Sequence, residues 1–207
     1  MMGSNASRIG LVVVCAAALG FATLYYRSNY YIDPPWATGH FSPHFQEELA
    51  PVRIQSKIGF INKARKIVIK PRFDDACHFS EGLAAVKTES RWGFIDKSGH
   101  MSIPSQFSFA VPFREGRAAV RIGRKWGWID THGTILIEPQ FDSIGVFREG
   151  LAPIQIGGKW GFIDGIGNMI ILPQFKSAFE FDDGKAPVQI GNSWRHIDKA
   201  GNLVPES

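Results

Sequence analysis

Residues 124–133 read RKWGWIDTHG, and the same phrase returns along the chain as RWGFIDKSG from Arg91 and KWGFIDGIG from Lys159. The tryptophans fall at Trp92, Trp126, Trp160 and Trp194, one every 34 residues. One further step back reaches Ile58 in KIGFIN. Phe45, Phe79, Phe113, Phe147 and Phe181 keep the same interval, as do Ala50, Ala84, Ala118, Ala152 and Ala186. Five copies therefore run in register without insertion or deletion. A fixed period of this length belongs to stacked-repeat or propeller architectures.

Within one copy, runs of alternating residues are separated by glycine-containing reversals. In the third copy Ala118 to Arg121, Trp126 to Asp130 and Thr134 to Ile137 alternate, with Gly123 and Gly133 between them and Pro139 closing the last. Short apolar runs joined by two- to four-residue glycine loops predict antiparallel hairpins. Each copy is thus expected to be a three-stranded meander, and the chain all-β. Ile61, Ile95, Ile129, Ile163 and Ile197 form a column expected to be a core ladder. Phe60, Phe94, Trp128, Phe162 and His196 share the other face with the Trp column, where burial is expected, His196 included. Gly59, Gly93, Gly127 and Gly161, each inside a strand, mark a bulge or a close approach. Pro51, Pro153 and Pro187 require an edge strand, or an N–H that points away from any partner.

Asp96, Asp130, Asp164 and Asp198 each stand three residues before a glycine. One carboxylate per copy cannot supply the six or more oxygens that calcium takes, so the expectation is an Asx-turn. Glu81, Glu115, Glu149 and Asp183 form another acidic column, read as solvated turns. The first and last copies are atypical: Ile58 and Asn62 replace Trp and Asp, and Arg195 replaces Gly. Modified ends suit an open array, since a ring has none to cap. An open twisted array is therefore expected, with a five-bladed closed ring as the alternative.

The motifs KWGWID, KWGFID, FREG-LA and PQFD, repeating in one register over residues 45–205, resemble the WG-repeat (KWG) family of bacterial β-repeat proteins. The resemblance implies a β-rich repeat fold and a binding or scaffolding role. It carries no catalytic residues.

Residues 1–8 form an N-terminal tail. Residues 9–26, IGLVVVCAAALGFATLYY, hold no charge. As a helix they would span about 27 Å, close to a bilayer's hydrocarbon thickness. Tyr25, Tyr26, Tyr30 and Tyr31 would form an interfacial belt. An uncleaved transmembrane anchor is expected. The alternative is a signal segment cut after Gly20-Phe21-Ala22. Either places the repeats on the periplasmic or extracytoplasmic side. Residues 27–44, with Pro34, Pro35, Gly39 and Pro43, read as an extended linker, and residues 45–207 hold the five repeats.

Net charge is +4 and no three basic residues are consecutive, which argues against nucleic acid. Cys15 sits in the apolar run, so Cys77 is expected as a free thiol. His40 and His44 flank Pro43 in the linker and do not read as a metal pair. No nucleophile motif or phosphate-cradling loop occurs, so no catalytic residue, cofactor or metal is expected. The expected role is a membrane-anchored, non-enzymatic protein-interaction scaffold, an accessory subunit of a membrane complex. A cell-envelope carbohydrate-binding module is the alternative, and exposure of the Trp column would favour it. Candidate partner-binding residues are Arg114, Arg121, Arg124 and Arg148. The first three replace Ser80, Lys87 and Ser90 of the preceding copy, and Arg148 repeats Arg114 one copy on. Arginine is enriched at interfaces over lysine.

Overall fold

The computed structural model describes residues 45–205. The expected anchor, linker, His40 and His44 lie outside them. The described chain is all-β, in five antiparallel sheets. Sheet one holds β1 (Leu49–Ile54), β2 (Lys57–Asn62) and β3 (Ile67–Phe73). Sheet two runs in order β4 (Asp75–Ala76), β5 (Leu83–Thr88), β6 (Arg91–Asp96) and β7 (Met101–Phe107). Sheet three is β8 (Phe109–Ala110), β9 (Arg117–Ile122), β10 (Lys125–Asp130) and β11 (Ile135–Phe141). Sheet four is β12 (Ser143–Ile144), β13 (Leu151–Ile156), β14 (Lys159–Asp164) and β15 (Met169–Phe175). Sheet five is β16 (Ser177–Ala178), β17 (Ala186–Ile190), β18 (Ser193–Ile197) and β19 (Leu203–Val204). No sheet closes on itself among the described residues.

The three-strand expectation is corrected: sheets two to five have four strands. The extra one is only two residues long and pairs with a strand of the following copy, as Ser143 and Ile144 pair with Gln155 and Ile154. Pro139 does not end its strand either. Trp126 pairs with Phe141 and Trp128 with Ile137, so Glu138, Pro139 and Gln140 lie opposite Gly127 alone. This is the bulge that the glycine column forecast. A Cβ on Gly127 would stand 2.8 Å from the Pro139 nitrogen, and one on Gly161 would stand 2.7 Å from that of Pro173. The missing side chain lets the two backbones touch. Pro153 sits in an inner strand, yet its carbonyl accepts from Gly145 on the short-strand side. Its absent N–H points the same way, beyond the end of β12, and no ladder bond is lost.

Each sheet turns one face back to its predecessor and the other forward. The backward face carries the Ala and Ile columns, all buried. The forward face carries Phe60, Phe94, Trp128 and Phe162, also buried, and these meet the Phe column of the next repeat. Phe60 meets Phe79 at 5.0 Å, Phe94 meets Phe113 at 4.8 Å, Trp128 meets Phe147 at 5.2 Å and Phe162 meets Phe181 at 5.0 Å. Interplanar angles stay between 59° and 62°, the edge-on geometry that aromatic quadrupoles favour. His196, expected to pack in this column, is exposed, because no following phenylalanine covers it among the described residues.

Phe94→Ala should destabilise the repeats by about 3 to 5 kcal/mol, as for other fully buried aromatics. His196→Ala, on the open face, should leave the melting temperature near the parent value. Thermal denaturation of the two variants compares them directly.

Candidate interaction site

The array has two rims. One is formed by the hairpins at residues 55–56, 89–90, 123–124, 157–158 and 191–192. The other carries the Asp-x-x-Gly turns and the acidic column. Six strand residues separate the rims in β9, about 16 to 17 Å at the usual strand rise.

At the second rim the Asp turns are Asx-turns, as expected. The Asp130 carboxylate accepts from the amides of His132 (2.9 Å) and Thr134 (2.8 Å), and Asp198 does the same for Ala200 (3.0 Å) and Asn202 (2.8 Å). The acidic column is corrected at Glu81 and Glu149, which with Glu47 fasten consecutive repeats, whereas Glu115 and Asp183 are exposed in their turns, as expected. Glu47 accepts from the amide of Gly82, Glu81 from Gly116 and Glu149 from Gly184. These residues sit at positive φ, which turns each carboxylate toward the next copy. Lys97 adds a 3.0 Å ion pair to Glu47, and Lys199 a 3.1 Å pair to Glu149. In the third copy Arg117 takes a related role, donating to the Gly165 carbonyl at 2.7 Å.

Arg114 and Arg148 belong to this rim and are exposed. Arg148 is already engaged, 2.7 Å from Asp182 of the next repeat. Arg121 and Arg124 belong to the hairpin rim. Arg121 donates to Ser108 and lies over the Trp126 ring at 5.8 Å, while Arg124 is exposed in its turn. The structure therefore divides the four candidate arginines between opposite rims.

The tryptophans lie at the hairpin rim, and the expectation of uniform burial is corrected. Trp92 is 3 % exposed, Trp126 and Trp160 are half-buried, and Trp194 is 41 % exposed. The cause is the residue that begins each short strand. Phe109 packs against Trp92 at 5.4 Å and also against Trp126 at 5.7 Å. The matching positions in the next two copies are Ser143 and Ser177, too small to cover an indole. Ile122, Ile156 and Ile190 are exposed beside these tryptophans, so repeats three to five present an apolar hairpin rim that repeats one and two lack.

Among the described residues, no group of three His, Cys, Asp or Glu side chains stands close enough to hold a metal ion. Cys77 is buried in the core between sheets two and three. No described helix is long and apolar enough to cross a membrane.

The WG containing repeat profile matches four times in succession, at residues 58–92, 92–126, 126–160 and 160–194. The chain belongs to the WG containing repeat family. Each match runs from one Trp position to the next, so a WG repeat as a unit of sequence straddles two sheets. No curated protein matches the chain. Among solved structures it is similar to Kluyveromyces lactis Hsv2, with 12% identity and a TM-score of 0.51 over 86% of this chain and 63% of that one. It is also similar to a structure described as the eukaryotic initiation factor, with 12% identity and a TM-score of 0.53 over 75% of this chain and 50% of that one. The WG repeats thus span less than two thirds of either structure, and the likeness is one of fold.

Both rims hold carboxylates whose pKa lies below the ordinary range. The Lys57 ammonium, 2.5 Å away, lowers Asp74, the Lys125 ammonium at 2.6 Å lowers Asp142, and Lys199 lowers Glu149. A carboxylate depressed on folding stabilises the fold above its unfolded pKa and loses that contribution as pH falls through the folded value. The melting temperature should hold from neutrality to about pH 5, then fall progressively below about pH 4, the ordinary carboxylate value. Asp142→Asn should lower it at pH 7 and much less at pH 3, as read by thermal melts across the pH series.

Proposed function

We propose that this chain is a membrane-anchored, non-enzymatic protein-interaction scaffold, an accessory subunit of a membrane protein complex. Residues 9–26 serve as the single-pass anchor, residues 27–44 as the spacer, and the repeats stand on the periplasmic or extracytoplasmic side. The five sheets work as an open array. The exposed forward face of repeat five supports this, since a ring would cover Trp194 and His196.

One observation carries the scaffold reading. The outermost strand of every sheet exposes apolar side chains in columns: Ile67, Met101, Ile135 and Leu203, beside Val68, Leu136 and Ile170. Leu172 adds a side chain that is 70 % exposed. Scattered surface leucines need no explanation, but contiguous apolar patches on ordered proteins mark interaction surfaces. These columns are not required for stacking, because Ile69, Ile103, Ile137 and Ile171 of the same strands already fill the core. Arg114 and Arg124, exposed on opposite rims, flank the outer strands and favour an acidic partner through steering more than through affinity.

The test is affinity purification of the full chain from detergent-solubilised membranes. Leu136→Asp with Ile170→Asp should remove the co-purifying protein without lowering the melting temperature. Arg121→Glu with Arg124→Glu should weaken recovery in a salt-dependent way. Unchanged recovery with the outer-strand pair replaced would place binding elsewhere.

A further inference from the structure

Two consecutive repeats carry the same three side chains in one row across neighbouring strands. In sheet four Ser143 pairs with Gln155, and Gln155 with Trp160. In sheet five Ser177 pairs with Gln189, and Gln189 with Trp194. Directly paired residues of antiparallel strands point to the same face, with Cβ atoms roughly 5 Å apart. Each row therefore sets a hydroxyl, a carboxamide and an indole side by side at the hairpin rim. The preceding copies break the pattern: sheet three has Phe109, Arg121 and Trp126, and sheet two has Asp75, Lys87 and Trp92.

The Ser-Gln-Trp rows are open where the others are filled. Trp92 is covered by Phe109, and Trp126 by Phe109 and the Arg121 guanidinium. Trp160 is half-buried against the core of sheets four and five, with Ser143 and Ser177 where Trp126 and Trp92 meet Phe109, and Trp194 stacks one face on Phe179 at 5.3 Å and 28°. Neither glutamine side chain makes a hydrogen bond among the described residues, so both amides are available. Ile190, which follows Gln189 in β17, is exposed at the same rim. The adjoining turns are Gly157-Gly158 and Gly191-Asn192, without bulk to block a ligand.

We propose that the Ser143–Gln155–Trp160 and Ser177–Gln189–Trp194 rows are two successive subsites for a neutral saccharide chain. The indole supplies the apolar platform on which the C–H face of a pyranose stacks. The glutamine amide, both donor and acceptor, matches vicinal hydroxyls, and the serine adds a third hydrogen-bonding group. No row residue is charged, which disfavours a phosphate or uronate and selects a neutral sugar. Two like rows one repeat apart suit a ligand that is itself a repeating chain, because linked subsites gain by effective concentration. Sheet three, with Arg121 drawn over its own tryptophan, lies outside the site. The site is separate from the outer-strand columns and does not depend on the scaffold role.

Isothermal titration calorimetry of the detergent-purified full chain tests the assignment with cellotetraose, chitotetraose, laminaritetraose and maltotetraose as probes. At least one should bind, and more tightly than its disaccharide. Gln155→Ala with Gln189→Ala should weaken that binding about tenfold or more at an unchanged melting temperature, a loss of about 1.4 kcal/mol. Trp160→Phe should keep binding that Trp160→Ala loses. Absence of binding by every tetrasaccharide up to about 10 mM, well past the millimolar range of weak ligands, overturns the proposal. So does a double-glutamine variant that binds like the parent. Linear peptides selected by display on the parent chain and lost with the two glutamines, while no sugar binds, would also overturn it and assign the rows to a protein ligand.

Discussion

An aromatic ring from one sheet set edge-on against a phenylalanine of the next is the contact on which the whole array rests. It occurs four times at centroid distances of 4.8 to 5.2 Å. The contact fixes what its neighbours can be. A ring of that size reaches across the gap only if the facing strand is thin, and the buried Ala column supplies the thinness. It must also be held at one height, and the bulge opposite each strand glycine sets that height by bringing two backbones into contact. Because every junction is built on this ring contact, stability is approximately a sum of repeat and nearest-neighbour interface terms.

The sequence made this interface legible because its parts are periodic. The Ala, Ile and Phe columns, the strand glycines and the Asx-turns each recur every 34 residues in chemically recognisable form, and the structure places them as read. The parts that escaped are those whose partners lie in another copy. The two-residue strand is too short to show alternation, and its pairing lies about ten residues downstream, inside the following sequence unit. Pro139 looked like a strand end because a bulge absorbs it, and nothing local reveals a bulge opposite a glycine. The carboxylate clasps reach 35 residues ahead, so a column of turn glutamates looked solvated.

The graded exposure of the tryptophans was legible in principle. The position that covers them reads Asp75, Phe109, Ser143, Ser177 down the copies, and one bulky residue among small or polar ones decides which indole is sealed. Reading the Trp column without that neighbouring column made the four tryptophans look equivalent. An indole's burial is set by its own row together with the facing row of the next sheet, as Phe109 of sheet three seals Trp92 of sheet two.

Fastening groups and unengaged groups occupy different columns of the array. The rim with the acidic column spends polar groups on the adjoining repeat: Glu47, Glu81 and Glu149 on backbone amides of the next copy, Lys97 and Lys199 on Glu47 and Glu149 of the preceding one, Arg148 on Asp182. Groups so engaged are costly to redirect toward a ligand, since each would leave a partner behind. The hairpin rim has clasps of its own at two junctions, where Asp74 and Asp142 join Lys57 and Lys125 to the turn amides of Glu89 and Gly157, but the columns between them are not held in this way. There the residue at a given column changes from Lys87 to Arg121 to Gln155 while the ring contact beneath it keeps its geometry. A repeat protein can vary the columns that its clasps leave unengaged without disturbing its stacking, and the column of Lys87, Arg121 and Gln155 is one of them.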